Sequence, residues 1–237
     1  MKKFEVSEEF WTLFPQGEIF LLVAKGINNH VAPDKEKYFA DLLKQAAVSA
    51  QKHIEEITFT ENIVIKEWRQ AFTLFKTKKG ARSSIEALLK RVSQDREFSP
   101  ISPLVDIYNC ISLRYGVPCG GEDLDQIQGD LRLGLAKGGE SFRPLGAEED
   151  APALPGEVVY FDDQGAICRC FNWREAQRTM LREDTKNAVL VIEAVNARQA
   201  LVAKEAAEEL KKLIEKEFDV KVESLHANKE QSSVVVG

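Results

Sequence analysis

The sequence predicts an α+β fold of mixed type, and three observations carry that expectation. Two short, unbroken apolar runs, Ile19 to Ala24 and Ala188 to Ile192, suit strands buried on both faces. Long segments on either side place apolar residues at helical spacing. Between them, from Gly116 to Phe171, the pattern changes to short strands separated by glycines. No internal repeat or clear linker divides the 237 residues, so one domain spanning 1–237 is expected. Within it, 1–100 holds a strand plus helices, 101–196 a motif-bearing core, and 197–237 a C-terminal helix and strand.

In chain order, the run Ile19 to Ala24 opens the core. After Pro33-Asp34, the spacing of Phe39, Leu42, Leu43, Ala46 and Ala50 predicts a helix over about 34–54. A second helix follows Thr60, with Ile65, Trp68, Phe72 and Phe75 on one stripe, and stops near Gly80. A third begins at Ser83 or Ser84. Ser102-Pro103 marks a helix start, an N-cap oxygen followed by proline at the first helical position, and Gly116 with Pro118 ends that helix. Strands are expected at 131–135, 157–161 and 166–171, the last two joined by a hairpin through Asp162-Asp163-Gln164-Gly165. Ala147 to Gly156 reads as an exposed loop. A helix over about 197–217 carries a narrow stripe of alanines and leucines. Phe218, Val220 and Val222 then alternate as a strand, and the tail from Asn228 is a frayed end or an edge strand.

Charge and composition bound the partners. With 32 basic and 38 acidic side chains the net charge is −6, opposite to what a protein relying on phosphate contacts shows, so any nucleic acid is held locally or weakly. No DNA partner is expected. The N-terminus lacks an apolar stretch behind its two lysines and no run reaches membrane-spanning length, so a cytoplasmic location is expected. Cys168 and Cys170 lie two apart on an expected strand and would share a face. Structural zinc needs four ligands, so these thiols are read as small buried hydrophobes and no metal is expected. His30, His53 and His226 are scattered and are read as solvated surface residues.

The stretch from Ser102 to Glu193 holds an ordered series of motifs. It begins Ser102-Pro103-Leu104-Val105-Asp106-Ile107-Tyr108-Asn109 and passes Gly116-Val117-Pro118-Cys119-Gly120-Gly121-Glu122-Asp123-Leu124-Asp125 and Gly129-Asp130-Leu131-Arg132-Leu133. Gly138-Gly139-Glu140, Phe142-Arg143-Pro144-Leu145 and Val158-Val159-Tyr160-Phe161-Asp162-Asp163 follow. This series resembles the B3/B4 editing domain of the phenylalanyl-tRNA synthetase beta subunit, and Val23-Ala24-Lys25-Gly26-Ile27-Asn28 looks like the strand that opens that domain. The resemblance implies a free-standing relative with the family's fold, a β-rich core of unusual sandwich topology with helices packed outside. It also implies the family's task, hydrolysis of tyrosine wrongly esterified to the tRNA for phenylalanine, which synthetases need because binding alone discriminates poorly between near-isosteric side chains. The aminoacylating core is absent from this stretch, so an aminoacylating ligase is not expected.

Departures from the family pattern locate a rebuilt pocket. Gly120 stands where the synthetase domain has a histidine, and Asn172-Trp173 falls where the family has a glycine pair lining its amino-acid pocket. The family's glutamate at the end of the buried strand matches Glu193. Arg169, Asn172, Trp173 and Arg174 offer guanidinium groups for a carboxylate or phosphate, an amide, and an indole for stacking. They are the expected ligand-binding residues, with Glu193 as the catalytic candidate that holds an amino group or activates water. The alternative makes Trp173 core and both arginines solvated. Asp123 and Asp125 are candidates to polarise a substrate amine or, more often for such residues, turn-capping acids. Asn109 is a candidate ligand or a structural hydrogen-bonding residue. Two functions stay open: an aminoacyl-tRNA ester hydrolase acting in trans on the tRNA 3′ end, without metal, ATP or other cofactor, or a non-catalytic module binding an RNA end, a free amino acid or a small metabolite.

Overall fold

A computed structural model describes residues 1–237. The chain runs β1 (Lys3–Val6), α1 (Glu8–Leu13), β2 (Glu18–Lys25), α2 (Glu36–Ala50), α3 (Ile63–Ala71), α4 (Ser84–Val92) and α5 (Pro103–Tyr115). There follow β3 (Cys119–Asp123), β4 (Leu131–Leu135), β5 (Val158–Phe161), β6 (Ala166–Arg169), β7 (Arg174–Glu175), β8 (Asn187–Ala194), α6 (Ala197–Phe218), β9 (Val222–Asn228) and β10 (Ser233–Val235). The fold is α+β, as expected, with no helix long and apolar enough to cross a membrane.

The strands form two sheets, one in the order β10-β1-β4-β5-β6-β7 and one in the order β3-β8-β2-β9. Only the β1–β4 pair is parallel among the named strand pairs. The apolar runs of β2 and β8 are explained by two cores that share them. Ile19, Leu21, Val23, Val189 and Val191 face a core lying against the six-stranded sheet, where they meet Phe4, Leu131, Leu133, Val158 and Tyr160. The alternate residues Phe20, Leu22, Ala24, Leu190 and Ile192 face α5 and α6 on the other side. Strands buried on both faces need no polar alternation. The alanine stripe of α6, Ala203, Ala206 and Ala207, keeps that helix close to the sheet.

Several boundaries differ from expectation for local reasons. The helix after Thr60 ends at Ala71 rather than near Gly80: the Thr73 hydroxyl donates to the Gln70 carbonyl at 2.6 Å, offering the backbone a competing turn, and Phe72 and Phe75 pack on each other beyond it. Phe218 closes α6 instead of opening a strand. Asp219 takes a left-handed backbone (φ 52°) that a short polar residue tolerates, and β9 starts only at Val222. The N-terminal third holds two strands and four α-helices, not one strand and three helices; α1 is capped by Ser7, which accepts from the Phe10 amide. The hairpin at Asp162–Gly165 forms as expected, with Asp162 Oδ1 accepting the amides of Gln164 and Gly165. The tail supplies an edge strand, β10, paired with β1.

Two expectations for single residues are corrected. Cys168 and Cys170 do not share a strand face, because β6 ends at Arg169 and Cys170 adopts φ 47°. Of the histidines only His30 is exposed. His226 stacks on Phe20 and meets Glu18 at 2.9 Å, while half-buried His53 donates from Nε2 to the Arg114 carbonyl at 3.0 Å. His53 also covers Gly116, the left-handed residue (φ 68°) that ends α5 and turns the chain into β3. A Cβ at that position would lie 2.9 Å from the His53 ring. Gly116→Ala is therefore expected to cost about 1–3 kcal/mol, from the left-handed backbone and the ring contact together, measured by urea unfolding. An unchanged midpoint would show that the turn tolerates a side chain.

Candidate functional site

A cavity of about 430 Å³ lies between the two sheets and is closed on one side by α4 and α5. Its apolar wall comes from Leu88, Leu131, Leu145 and Val191. Its polar wall carries Asn109, Asn172, Arg174 and three carboxylates, Glu122, Glu175 and Glu193. Each side chain reaches the cavity by strand alternation or by a forced turn. On β3, Gly120 and Glu122 are two apart and share a face. On β8, Val191 and Glu193 do the same.

The turn between β6 and β7 is the forced one. Cys170 and Phe171 both take left-handed backbones, φ 47° and 66°, which side chains rarely adopt and which cost about 1–3 kcal/mol each. Burial of Phe171 among Phe10, Phe14, Trp68 and Tyr160 holds it there. The result places Asn172 and Trp173 at the cavity. Asn172 Oδ1 accepts the Ser84 amide at 3.2 Å, and its Nδ2 points to Glu193 Oε2 at 3.4 Å, so the residue links the α4 N-terminus to the catalytic candidate.

Glu193 is 3 % exposed and receives a hydrogen bond from the Tyr160 hydroxyl at 3.0 Å. Burial pushes its carboxyl up to about 8, against the opposing bonds from Tyr160 and Asn172. Burial likewise raises Glu122, whose carboxyl also feels the charge of Glu175, and raises Glu175. Glu175 Oε1 stands 3.7 Å from where a Cβ on Gly120 would be, so this carboxyl covers the position that the family pattern gives to an imidazole. At the rim, exposed Arg174 stacks on the Trp173 ring with a 5.2 Å separation. Arg91 is held over Phe98 and donates to the Glu97 carbonyl. The cavity is thus dipolar, with cations at its mouth and carboxyls within.

Of the residues expected from sequence, Glu193, Asn172, Trp173, Arg174 and Asn109 line this cavity. Arg169 does not. Its guanidinium, 2 % exposed, donates to both oxygens of fully buried Glu157 at 2.8 and 2.5 Å and to the Ala151 carbonyl at 2.6 Å. A buried carboxylate demands a partner, and Arg169 is that partner. Asp123 also lies outside the cavity. Its Oδ1 accepts the Asp125 amide and its Oδ2 the Thr185 hydroxyl, which is the turn-capping role. Asp125 accepts from Asn187 Nδ2 at 2.8 Å. Sequence reasoning passed over Glu122, Glu175, Tyr108 and Tyr160. The signal for Glu122 was its two-residue spacing from Gly120 on a buried strand; Glu175 carries none, since a two-residue strand has no readable period.

The family model described as B3/4 domain matches residues 67–228. The phenylalanine–tRNA ligase beta subunit of Ruegeria pomeroyi is 40% identical over 67 residues, 28% of this chain and 8% of that one. The same subunit of Fusobacterium nucleatum is 33% identical over 89 residues, 38% of this chain and 11% of that one. That of Nocardia farcinica is 39% identical over 69 residues, 29% and 8% respectively. The chain spans about a tenth of the length of these relatives. Among solved structures, an N-terminal fragment of the phenylalanyl-tRNA synthetase beta subunit from Pyrococcus horikoshii aligns with 95% of this chain and 54% of its own, at 12% identity and a TM-score of 0.49.

Proposed function

Because the chain belongs to the B3/4 domain family, we propose that its cavity receives the aminoacylated 3′ end of a tRNA and hydrolyses the ester. The observation that carries this reading is Glu193, a buried carboxyl hydrogen-bonded to Tyr160 and Asn172 at the wall of a cavity whose rim bears Arg174 and Trp173. Arg174 suits a terminal phosphate and Trp173 a base or ring. With a net charge of −6, RNA contact is confined to this rim.

In the reaction, ionised Glu193 takes a proton from water, whose oxygen attacks the ester carbonyl carbon. The bond from that carbon to the ribose oxygen breaks, and Glu193 returns the proton it took to that oxygen, which leaves as a hydroxyl of the tRNA. A base with a value of about 8 is only about one-tenth ionised at pH 7, so kcat/KM is expected to rise toward pH 8. The second reading, binding without hydrolysis, is favoured by one observation: Gly120 leaves no imidazole at the site, and the carboxyl that covers it, Glu175, is itself raised.

Deacylation of a panel of aminoacyl-tRNAs, scored as ester loss above the rate without protein, tests the proposal. Hydrolysis of a subset is expected, reduced about 10²-fold or more by Glu193→Gln and by a smaller factor in Arg174→Ala. Ester loss unaffected by Glu193→Gln would remove Glu193 from the mechanism. Uniform failure with bound aminoacyl-tRNA would select the binding reading.

A further inference from the structure

The cavity holds more buried acid than an α-amino group requires. Of the three carboxylates, none takes part in an ion pair of the chain. The basic side chains nearby are committed elsewhere: Arg178 to Asp162, Arg169 to Glu157, and Arg91 to the Glu97 carbonyl. Glu122 is 6 % exposed, and its Oε2 has no hydrogen-bond partner. The Thr179 hydroxyl lies beside it and favours its ionised form slightly, yet Thr179 Oγ1 is also without a partner at hydrogen-bond distance. Glu122 lines the cavity, and a buried carboxyl without a partner is costly to ionise unless a cation that enters beside it completes it.

We infer that the amino acid taken by this cavity is a basic one, its α-amino group at Glu193 and a second cation, ammonium or guanidinium, between Glu122 and Glu175. This names the substrate class of the site under the aminoacyl reading and rests on that reading. A neutral side chain would leave Glu122 and Glu175 protonated, as they are in the empty cavity, and would draw no charge-assisted hydrogen bond from either. The apolar wall of Leu88, Leu131, Leu145 and Val191 suits the methylene stem of a lysine- or arginine-like side chain, which packs its carbons and presents its charge at the tip.

The other ionisable groups facing the three carboxyls do not compete for this role. Burial raises Tyr108, Cys119, Tyr160 and Cys168 well above their ordinary values, which keeps them neutral, and the cationic side chains of Arg91 and Arg174 sit at the rim. Entry of a second cation therefore ionises carboxyls that hold protons in the empty cavity, and the protons leave to solvent.

The test uses the full chain and two amides of equal stem length, lysinamide and norleucinamide, in calorimetric titrations run in buffers of different ionisation heat. Lysinamide is expected to bind roughly ten- to a hundredfold more tightly, with release of on the order of one additional proton. Glu122→Gln and, separately, Glu175→Gln should narrow that ratio toward one, and thermal unfolding of each variant checks that it folds. Equal or tighter binding of norleucinamide, no additional proton release, or no binding of either amide would overturn the inference. The outcome separates from that of the hydrolase proposal. Ester loss from neutral aminoacyl-tRNAs alone would keep the hydrolase and discard the basic substrate; tight lysinamide binding without any ester loss would do the reverse.

Discussion

Glu193→Gln should make the protein more stable at pH 8 while lowering the proposed ester hydrolysis about 10²-fold or more. The carboxyl at position 193 is raised from 4.5 to about 8 because it is buried, so between those values the folded chain holds a proton that the unfolded chain releases. Stability contributed by such a group is present at low pH and declines as pH rises from about 4.5 to about 8. The loss approaches a few kcal/mol at its upper end, since each tenfold change in proton affinity corresponds to about 1.4 kcal/mol. Glutamine keeps an oxygen for the Tyr160 hydroxyl and forfeits only the long 3.4 Å contact with Asn172. Urea unfolding at pH 5 and pH 8 should show similar stabilities for the two proteins at the lower pH and a more stable variant at the higher. The wild-type slope will not vanish in the variant, because Glu122 and Glu175 are raised in the same direction. A variant less stable at both pH values would mean that the carboxylate is held ionised by contacts stronger than those described. A stabilised but inactive variant would identify Glu193 as a site residue retained at a cost in stability.

The fold was legible in sequence wherever burial imposed a period. The runs of β2 and β8 and the stripes of α2, α5 and α6 were readable because each meets a continuous core, and Gly116 announced the end of α5 through its backbone alone. β1 and β7 were not readable: four and two residues are too short to show alternation, and each exists because neighbouring strands offer it hydrogen bonds, β10 and β4 for β1 and the edge of β6 for β7. Within the site, Glu193, Asn172, Trp173 and Arg174 were found through their place in an ordered series of motifs. Glu175 could not be found, because what makes it part of the cavity is the missing side chain at Gly120 across the space between sheets. Arg169 was misplaced for a related reason. β6 pairing ends at Arg169 and the left-handed turn begins at the next residue, Cys170, a step that sends Arg169 to Glu157 and Asn172 to the cavity.

That placement yields the other large expected effect. Arg169→Met leaves Glu157, which is fully buried, without a counter-charge and frees the Ala151 carbonyl. Removing one partner of a buried pair costs about 3–5 kcal/mol, whereas replacing both by apolar groups of similar size is often close to neutral. The single variant should therefore lose that much in urea unfolding at pH 7, and the double variant Arg169→Met with Glu157→Leu should recover most of it. The pair fixes the end of β6, immediately before the strained turn that carries Asn172 and Trp173, so ligand affinity should fall in the single variant through misplacement of that turn. In the double variant affinity should return together with stability. A double variant that is stable and still fails to bind would mean that the guanidinium itself meets the ligand, and Arg169 would then belong to the site after all.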